Sequence, residues 1–147
     1  MIVGGLRPDE VQVPANYNPA VAAPLLIVLH GFTQNGATMD NNFGLKTTAY
    51  NNGIIYMSPN GIMDSVGLRF WHATDACCDI LNAGQDDSAY ILSLINEVSS
   101  QLNVDQKRIY LMGYSNGAFM AHRFACDHAD KIAAIITFAG MLHDKKE

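Results

Sequence analysis

The chain has 147 residues, of which 49% are hydrophobic and 16% charged, which is enough apolar material for one globular domain with a buried core. Its formal net charge is −5 and it has no basic patch, so nucleic acid is not an expected partner. No apolar run approaches the roughly 20 residues of a membrane-spanning helix, and no basic segment followed by an apolar stretch marks a signal peptide, so we expect neither a membrane span nor a leader here.

The first half of the chain is expected to hold three strands and one helix. Residues 10–13 alternate polar and apolar side chains before Pro14, which is typical of an outer strand. Residues 25–29 are continuously apolar, as in a strand covered on both faces. Between and after these strands we predict a loop over 16–24, a glycine-punctuated loop over 30–36, a helix over 45–52 and a strand over 54–57.

The second half continues the alternation of helices and strands. Residues 63–83 have no clear period, and Asp86 or Asp87 is expected to cap a helix that runs to about Leu102. A strand over 108–112, a helix over 118–127 and a strand over 132–138 follow. The order predicts an α/β fold in one domain, residues 1–147, with about five mainly parallel strands flanked by helices.

The most informative segment is residues 113–117, with the sequence GYSNG. A G-x-S-x-G motif between a strand and a helix is the nucleophile elbow of α/β-hydrolases. The turn forces Ser115 into a strained backbone conformation, and side chains at Gly113 or Gly117 would clash with the adjoining elements. We therefore predict that Ser115 is a nucleophile.

Four stretches together resemble a family of secreted esterases that includes poly(3-hydroxybutyrate) depolymerases and feruloyl and acetyl xylan esterases. They are residues 29–32 (LHGF), 59–61 (PNG), 70–78 (FWHATDACC) followed by Asp86 and Asp87, and 113–120 (GYSNGAFM) with Ala125 and Cys126. Two positions depart from the family pattern: His72 replaces an asparagine, and Ala118 replaces a second glycine.

The resemblance implies an α/β-hydrolase fold, an ester substrate that is small or polymeric, and secretion or a periplasmic location. It implies no cofactor. Members of the family continue well beyond Gly140 and place the catalytic acid and histidine there. By this comparison the chain is expected to be truncated and to lack the usual C-terminal strands.

The predicted chemistry is ester hydrolysis through an acyl-enzyme. A serine hydroxyl needs a histidine to accept its proton and N–H donors to stabilise the oxyanion. We expect those donors to be the backbone N–H groups of Asn116 and of Phe32, in the loop after the first core strand. Residues expected around the substrate pocket are His30, Thr33, Trp71 and Tyr114.

Two histidines are candidates for the general base. His143 follows the last strand and could fold back towards Ser115, and His72 lies in the loop that should border the pocket. His122 is seven residues after Ser115 on one helix, roughly 10 Å along its axis, so direct proton transfer is excluded, and His128 is farther still. His30 is better explained as a loop histidine that ties the oxyanion strand by hydrogen bonds.

The three cysteines leave at least one thiol unpaired within the chain. Adjacent Cys77 and Cys78 cannot easily bond one another, so a bond between Cys78 and Cys126 is one possibility and buried free thiols are the other. The histidines and cysteines have no reliable metal-ligand spacing, so no metal is expected.

Other interpretations of the chain remain open. Residues 132–138 form an apolar strand that could be an exposed edge, so a homo-oligomer paired through that edge is expected. The elbow could belong to an incomplete hydrolase domain that needs a partner or further residues. It could also serve a peptidase or a thioesterase of the same fold.

Overall fold

The computed structural model describes residues 1–75, 77–79 and 84–142. Strands and helices alternate along most of the chain. The strands are β1 (Ile2–Val3), β2 (Asp9–Glu10), β3 (Ala23–Leu29), β4 (Ile55–Met57), β5 (Ile62–Met63), β6 (Arg69–Phe70), β7 (Val104–Tyr114) and β8 (Ala134–Phe138). The helices are α1 (Gly36–Phe43), α2 (Leu45–Asn51), α3 (Asp87–Gln101) and α4 (Asn116–Asp127), with a short 3₁₀ turn at Ala129–Lys131.

Four parallel strands form the central sheet, in the order β4-β3-β7-β8. The predicted α/β class and parallel sheet are therefore confirmed, but the fifth strand is not part of it. Glu10 pairs with β1 in a small antiparallel ribbon, and Gln12 makes only an isolated bridge to Tyr56. Pro14 has no N–H group to continue that ladder, which limits the pairing to one residue.

Helix α1 and the hairpin of β5 and β6, like the short strand β1, were not expected from the sequence. Helix α1 is capped by Asn35, whose side chain accepts a hydrogen bond from the N–H of Thr38 at 2.9 Å. Its apolar pattern is weak because Met39 is its only buried large side chain. The hairpin of β5 and β6 lies in the segment without a clear period, since two-residue strands are too short to show alternation.

Both faces of the sheet are covered by helices, and one core lies on each face. Helices α3 and α4 pack on one face through residues such as Ile95 and Phe124, against Leu111 of β7. Helices α1 and α2 cover the other through Met39 and Ala49. Because side chains alternate along a strand, Leu111 of β7 points to one face of the sheet and Met112 to the other.

The edge strand β8 is less well covered. Two of its residues, Ile136 and Phe138, are each 47% exposed. Within the described ranges, no helix is long and apolar enough to cross a membrane. The carboxyl ends of β3, β7 and β8 meet at one edge of the sheet, and the loops that follow them surround Ser115.

Candidate active site

Ser115 lies in the sharp turn between β7 and α4, with φ +52° and ψ −118°. A positive φ costs any residue other than glycine about 1–3 kcal/mol. Neighbouring elements hold the turn: the Ser115 N–H donates to the Phe138 carbonyl at 2.8 Å, and the Ser115 carbonyl accepts from Ala118 N–H at 2.8 Å. The serine is therefore fixed at the carboxyl edge of the sheet by both β8 and α4.

The two glycines of the motif allow the turn to pack closely. A Cβ on Gly113 would lie 2.1 Å from the carbonyl oxygen of Gly117. A Cβ on Gly117 would lie 2.3 Å from the carbonyl oxygen of Leu29, on the adjacent strand β3. Both contacts are impossible for real atoms, so the sequence motif and the backbone geometry agree at both positions.

The loop after β3 lies directly beside the serine. A Cβ built on Gly31 would be 3.3 Å from Ser115 Cβ. The next N–H group, that of Phe32, stands between two engaged neighbours: Gly31 N–H donates to the Gln34 side chain at 3.1 Å, and Thr33 N–H donates to the Arg69 carbonyl at 2.7 Å.

Two backbone donors are open at this position. The intrahelical bonds of α4 begin with Ala118 and Phe119, which both donate to the Ser115 carbonyl, so Asn116 N–H precedes them. Neither the Phe32 N–H nor the Asn116 N–H has an acceptor within the described part of the chain. The geometry is thus compatible with the predicted oxyanion hole, whose role remains a prediction.

His30 does not line a pocket, so that prediction is wrong. Its side chain is fully buried, with Nδ1 donating to the Gly31 carbonyl at 2.7 Å and Nε2 accepting from Gly61 N–H at 2.9 Å. Burial lowers the pKa of His30 to about 4 from 6.5, so the ring is neutral at pH 7. The alternative expectation, a histidine that ties the loop by hydrogen bonds, is confirmed.

Trp71 is also fully buried, which contradicts its expected place in the pocket. Its backbone N–H donates to Asn116 Oδ1 at 2.7 Å, and its carbonyl accepts from Asn116 Nδ2 at 3.0 Å. The sequence suggested a function only for the Asn116 backbone. The side chain has its own function, because it joins the elbow helix to the loop that contains Trp71.

His72 is not brought to Ser115. Its Nδ1 faces the Gln85 carbonyl at 2.8 Å, and its Nε2 is 3.8 Å from Asp79 Oδ2. Its own carbonyl accepts from Arg123, two turns along α4 from the serine. The structure therefore does not favour His72 as the base.

None of the described histidines is hydrogen-bonded to Ser115. His122 lies on α4 as expected, and the His128 ring packs 4.9 Å from that of Phe124 near the helix end. The first candidate for the base, His143, lies outside the described residues. Its function stays a prediction.

Thr33 lies in the loop after β3, and Tyr114 directly precedes Ser115. Thr33 is exposed and has φ +64°, an uncommon conformation for a β-branched residue. Tyr114 is half-buried, with its ring 6.0 Å from that of Phe43. Contact of either residue with substrate remains a prediction.

The cysteine prediction is wrong. Cys77 is bonded to Cys78, while Cys126 is a free, exposed thiol. The distance along α4 explains this: Cys77 Sγ lies 3.8 Å from Asn116 Nδ2, and Cys126 is ten residues beyond Asn116, about 15 Å along the axis. Among the described residues, no group of three or more His, Cys, Asp or Glu side chains could hold a metal ion.

Asp87 has a function that the sequence analysis did not assign to it. Its neighbour Asp86 caps α3 as predicted, accepting from Ala89 N–H at 2.9 Å. Asp87 is fully buried, pairs with Arg7 at 2.5 Å and accepts from His72 N–H at 2.7 Å. The available sequence signal was the pair of adjacent acids at the start of α3. Since only one of them can cap the helix, the other could have a different function.

Comparisons with known proteins identify a family and several relatives of this chain. A family model described as "Esterase PHB depolymerase" matches residues 14–146. The chain is 30% identical over 137 residues to a bifunctional acetylxylan esterase/xylanase of Neocallimastix patriciarum, covering 93% of this chain and 18% of that protein. It is 32% identical over 124 residues to feruloyl esterase B of Piromyces equi, covering 84% and 22% respectively.

A solved structure shares the fold. The acetyl xylan esterase from Aspergillus awamori superposes with a TM-score of 0.71 at 18% identity, covering 87% of this chain and 44% of that one. At this identity the likeness concerns the α/β-hydrolase fold alone. The chain thus spans less than half of the length of each of these three proteins.

Proposed function

The chain belongs to the esterase PHB depolymerase family, and on that premise we propose that it carries the nucleophile of a serine carboxylic ester hydrolase. The observation that supports this most is the conformation of Ser115, at φ +52° between two glycines that admit no side chain. Ordinary strand–helix turns do not need such a conformation, whereas a nucleophile elbow does.

In the proposed reaction, Ser115 Oγ attacks the ester carbonyl carbon and its proton passes to a general base. The N–H groups of Phe32 and Asn116 bind the oxyanion that forms, and the positive end of the α4 dipole adds to this stabilisation. The alcohol leaves with a proton, and an acyl-enzyme on Ser115 remains. Water then attacks the acyl carbon, and the acid is released.

The general base in this proposal is a histidine outside the described residues. His143, oriented by Asp144 or another acid, is the candidate in this chain. The substrates proposed are short acyl or aryl esters, in keeping with the names of the similar acetylxylan and feruloyl esterases.

A second candidate function is an incomplete hydrolase domain. It is favoured by one observation: none of the described histidines is hydrogen-bonded to Ser115. Such a domain would hold the nucleophile ready but would need further residues or a partner for turnover. A serine peptidase or thioesterase of the same fold is the third candidate.

Turnover of p-nitrophenyl acetate and butyrate separates these proposals when it is combined with fluorophosphonate labelling. We expect the chain to hydrolyse both esters, Ser115→Ala to abolish hydrolysis, and Ser93→Ala to retain it as the matched control. Ser93 is an exposed serine on α3 whose hydroxyl donates to the carbonyl of Tyr90 at 2.7 Å.

Each result has a distinct meaning for the three candidates. Stoichiometric labelling of Ser115 without turnover would support the incomplete domain. Faster turnover of amide or thioester substrates would support the third candidate. Absence of both labelling and turnover would contradict the proposed nucleophile.

We also propose that chains pair through the β8 edge. The half-exposed Ile136 and Phe138 side chains support this, because an open apolar edge favours association. The mass in solution of the wild type and of Ile136→Lys tests it. A wild type that is monomeric at all concentrations would contradict the pairing.

A further inference from the structure

We propose that residues 69–72, called here the brace, set the distance between the two oxyanion donors, and that Trp71 is the positioning residue within it. The inference rests on the proposed function, since the donors are the N–H groups of Phe32 and Asn116. These donors belong to separate elements, the loop after β3 and the helix α4. Some third element must therefore hold them at a fixed separation.

The brace holds the helix side through the carboxamide of Asn116. This side chain accepts from Trp71 N–H at 2.7 Å and donates to the Trp71 carbonyl at 3.0 Å. Both residues are fully buried, so water does not compete for these bonds. Two bonds between one side chain and one residue fix both distance and orientation, and Asn116 carries its own N–H donor directly at the backbone.

The brace holds the loop side through bonds on both sides of Phe32. The indole Nε1–H of Trp71 donates to the His30 carbonyl at 3.1 Å, two residues before Phe32. The Arg69 carbonyl accepts from Thr33 N–H at 2.7 Å, one residue after it. Phe32 N–H is thus framed by two contacts with the brace and left free itself. Trp71 is the one brace residue that bonds both donor elements.

The brace is itself anchored at both ends. At its start, Arg69 Nη1 donates to the Gly61 carbonyl at 2.7 Å. At its end, His72 N–H donates to buried Asp87 at 2.7 Å, and the His72 carbonyl accepts from Arg123 Nη1 at 2.7 Å. The network explains why an acid is buried next to the α3 cap, because Asp87 fixes the end of the brace.

This arrangement has a consequence for catalysis. Oxyanion donors act when they lie about 2.7–3.1 Å from the developing charge, and a misplacement of about 1 Å can lower the rate about 100-fold. Loosening the brace should therefore slow the chemical step at Ser115 and leave substrate binding largely unchanged.

Two variants approach the brace from opposite sides. Trp71→Phe removes the bond to the His30 carbonyl and keeps an aromatic ring in the core, and Asn116→Ala removes both bonds to Trp71 and keeps the backbone donor. The control is Phe124→Leu, a truncation of a fully buried ring on α4 that lies outside the brace. It measures the effect of general destabilisation.

The first readout does not require activity. NMR gives the hydrogen exchange of the Thr33 N–H, which donates to the brace, and of the indole of Trp71, the only tryptophan in the chain, together with the amide resonance of Phe32. We expect a protected indole N–H in the wild type. In both variants we expect faster exchange at the Thr33 N–H and a shifted amide resonance at Phe32, and neither change in Phe124→Leu.

The second readout is the rate constant for Ser115 labelling by a fluorophosphonate, with kcat and KM for p-nitrophenyl butyrate. We expect labelling and kcat to fall about 10- to 100-fold in both variants with KM nearly constant. Unchanged exchange at the Thr33 N–H and an unshifted Phe32 resonance in folded Trp71→Phe and Asn116→Ala would overturn the brace. Altered exchange in the two variants, with neither labelling nor turnover in any of the chains, would support the brace and contradict the proposed nucleophile.

Discussion

The carboxylate of Asp9 should cost stability at neutral pH, and Asp9→Asn should recover it. Asp9 lies on β2 and is half-buried, and its Oδ2 atom is shielded from solvent without a hydrogen-bond partner among the described residues. Burial raises the pKa of Asp9 to about 6 from 3.8, and the nearby charges of Asp40 and Glu10 act in the same direction. The protonated form is therefore the form that the fold prefers.

The sign and size of the effect follow from this shift. Between pH 3.8 and about 6 the folded chain binds more protons at Asp9 than the unfolded chain, so stability falls as pH rises through this window. The full shift corresponds to about 3 kcal/mol at neutral pH and about 1 kcal/mol near pH 4.5. Because Asp9 keeps some contact with solvent, we expect Asp9→Asn to gain about 2 kcal/mol at pH 7.5 and much less near pH 4.5.

Urea unfolding measures this difference, with the fluorescence of buried Trp71 as the signal. Comparing the variant with the wild type at the same pH cancels the contributions of all other titrating groups. Glu10→Gln, an exposed neighbour on β2, is the matched control for the change in net charge. An equal gain at both pH values, or an equal gain in Glu10→Gln, would refute the reasoning.

Three further predictions concern the site and the cysteines. The pKa of His30 is lowered, so between pH 6.5 and 4 the unfolded chain binds more protons than the folded chain, and stability falls as pH falls through that window. In urea titrations the destabilisation by His30→Gln should therefore shrink by up to about 3 kcal/mol from pH 7 to 4. A destabilisation that is the same at both pH values would contradict this prediction. Gly117→Ala should destabilise the fold by several times the roughly 1 kcal/mol expected for Gly44→Ala. The reason is that the new methyl group would overlap a main-chain carbonyl at Gly117 but would meet open space at Gly44. Similar melting temperatures for the two variants would count against this. Thiol titration of the unfolded, unreduced chain should find one thiol in the wild type and none in Cys126→Ser, whereas a thiol remaining in the variant would show a different pairing.

The sequence predicted the nucleophile elbow from local features. The apolar run before Gly113 and the helical spacing after Gly117 are short-range patterns, and each is set by which side chains must be buried. The glycines are required by contacts that any strand–turn–helix of this kind makes, so their identity was informative before any fold was known. The cap of α3 at Asp86 was equally local.

The errors have a common physical origin. Trp71 and His30 were expected to face substrate because they stand in motif loops, but both are buried by contacts with residues 31 to 45 positions away in the chain. Residue type and spacing do not reveal which face of an irregular loop turns inward. The same holds for His72, whose ring is directed by Asp79 and Gln85, and for Cys126, whose separation from Cys77 is fixed by the length of α4.

The sequence by itself determined the α/β class, the parallel strands and the identity of the candidate nucleophile, because these depend on periodicity and on steric demands within a few residues. Only the tertiary structure decided that the central sheet has four strands, that Asp87 is buried beside its capping neighbour, and that Trp71 joins the two proposed oxyanion donors. Those features depend on hydrogen bonds between segments far apart in sequence, whose partners become neighbours only when the sheet and its helices have packed.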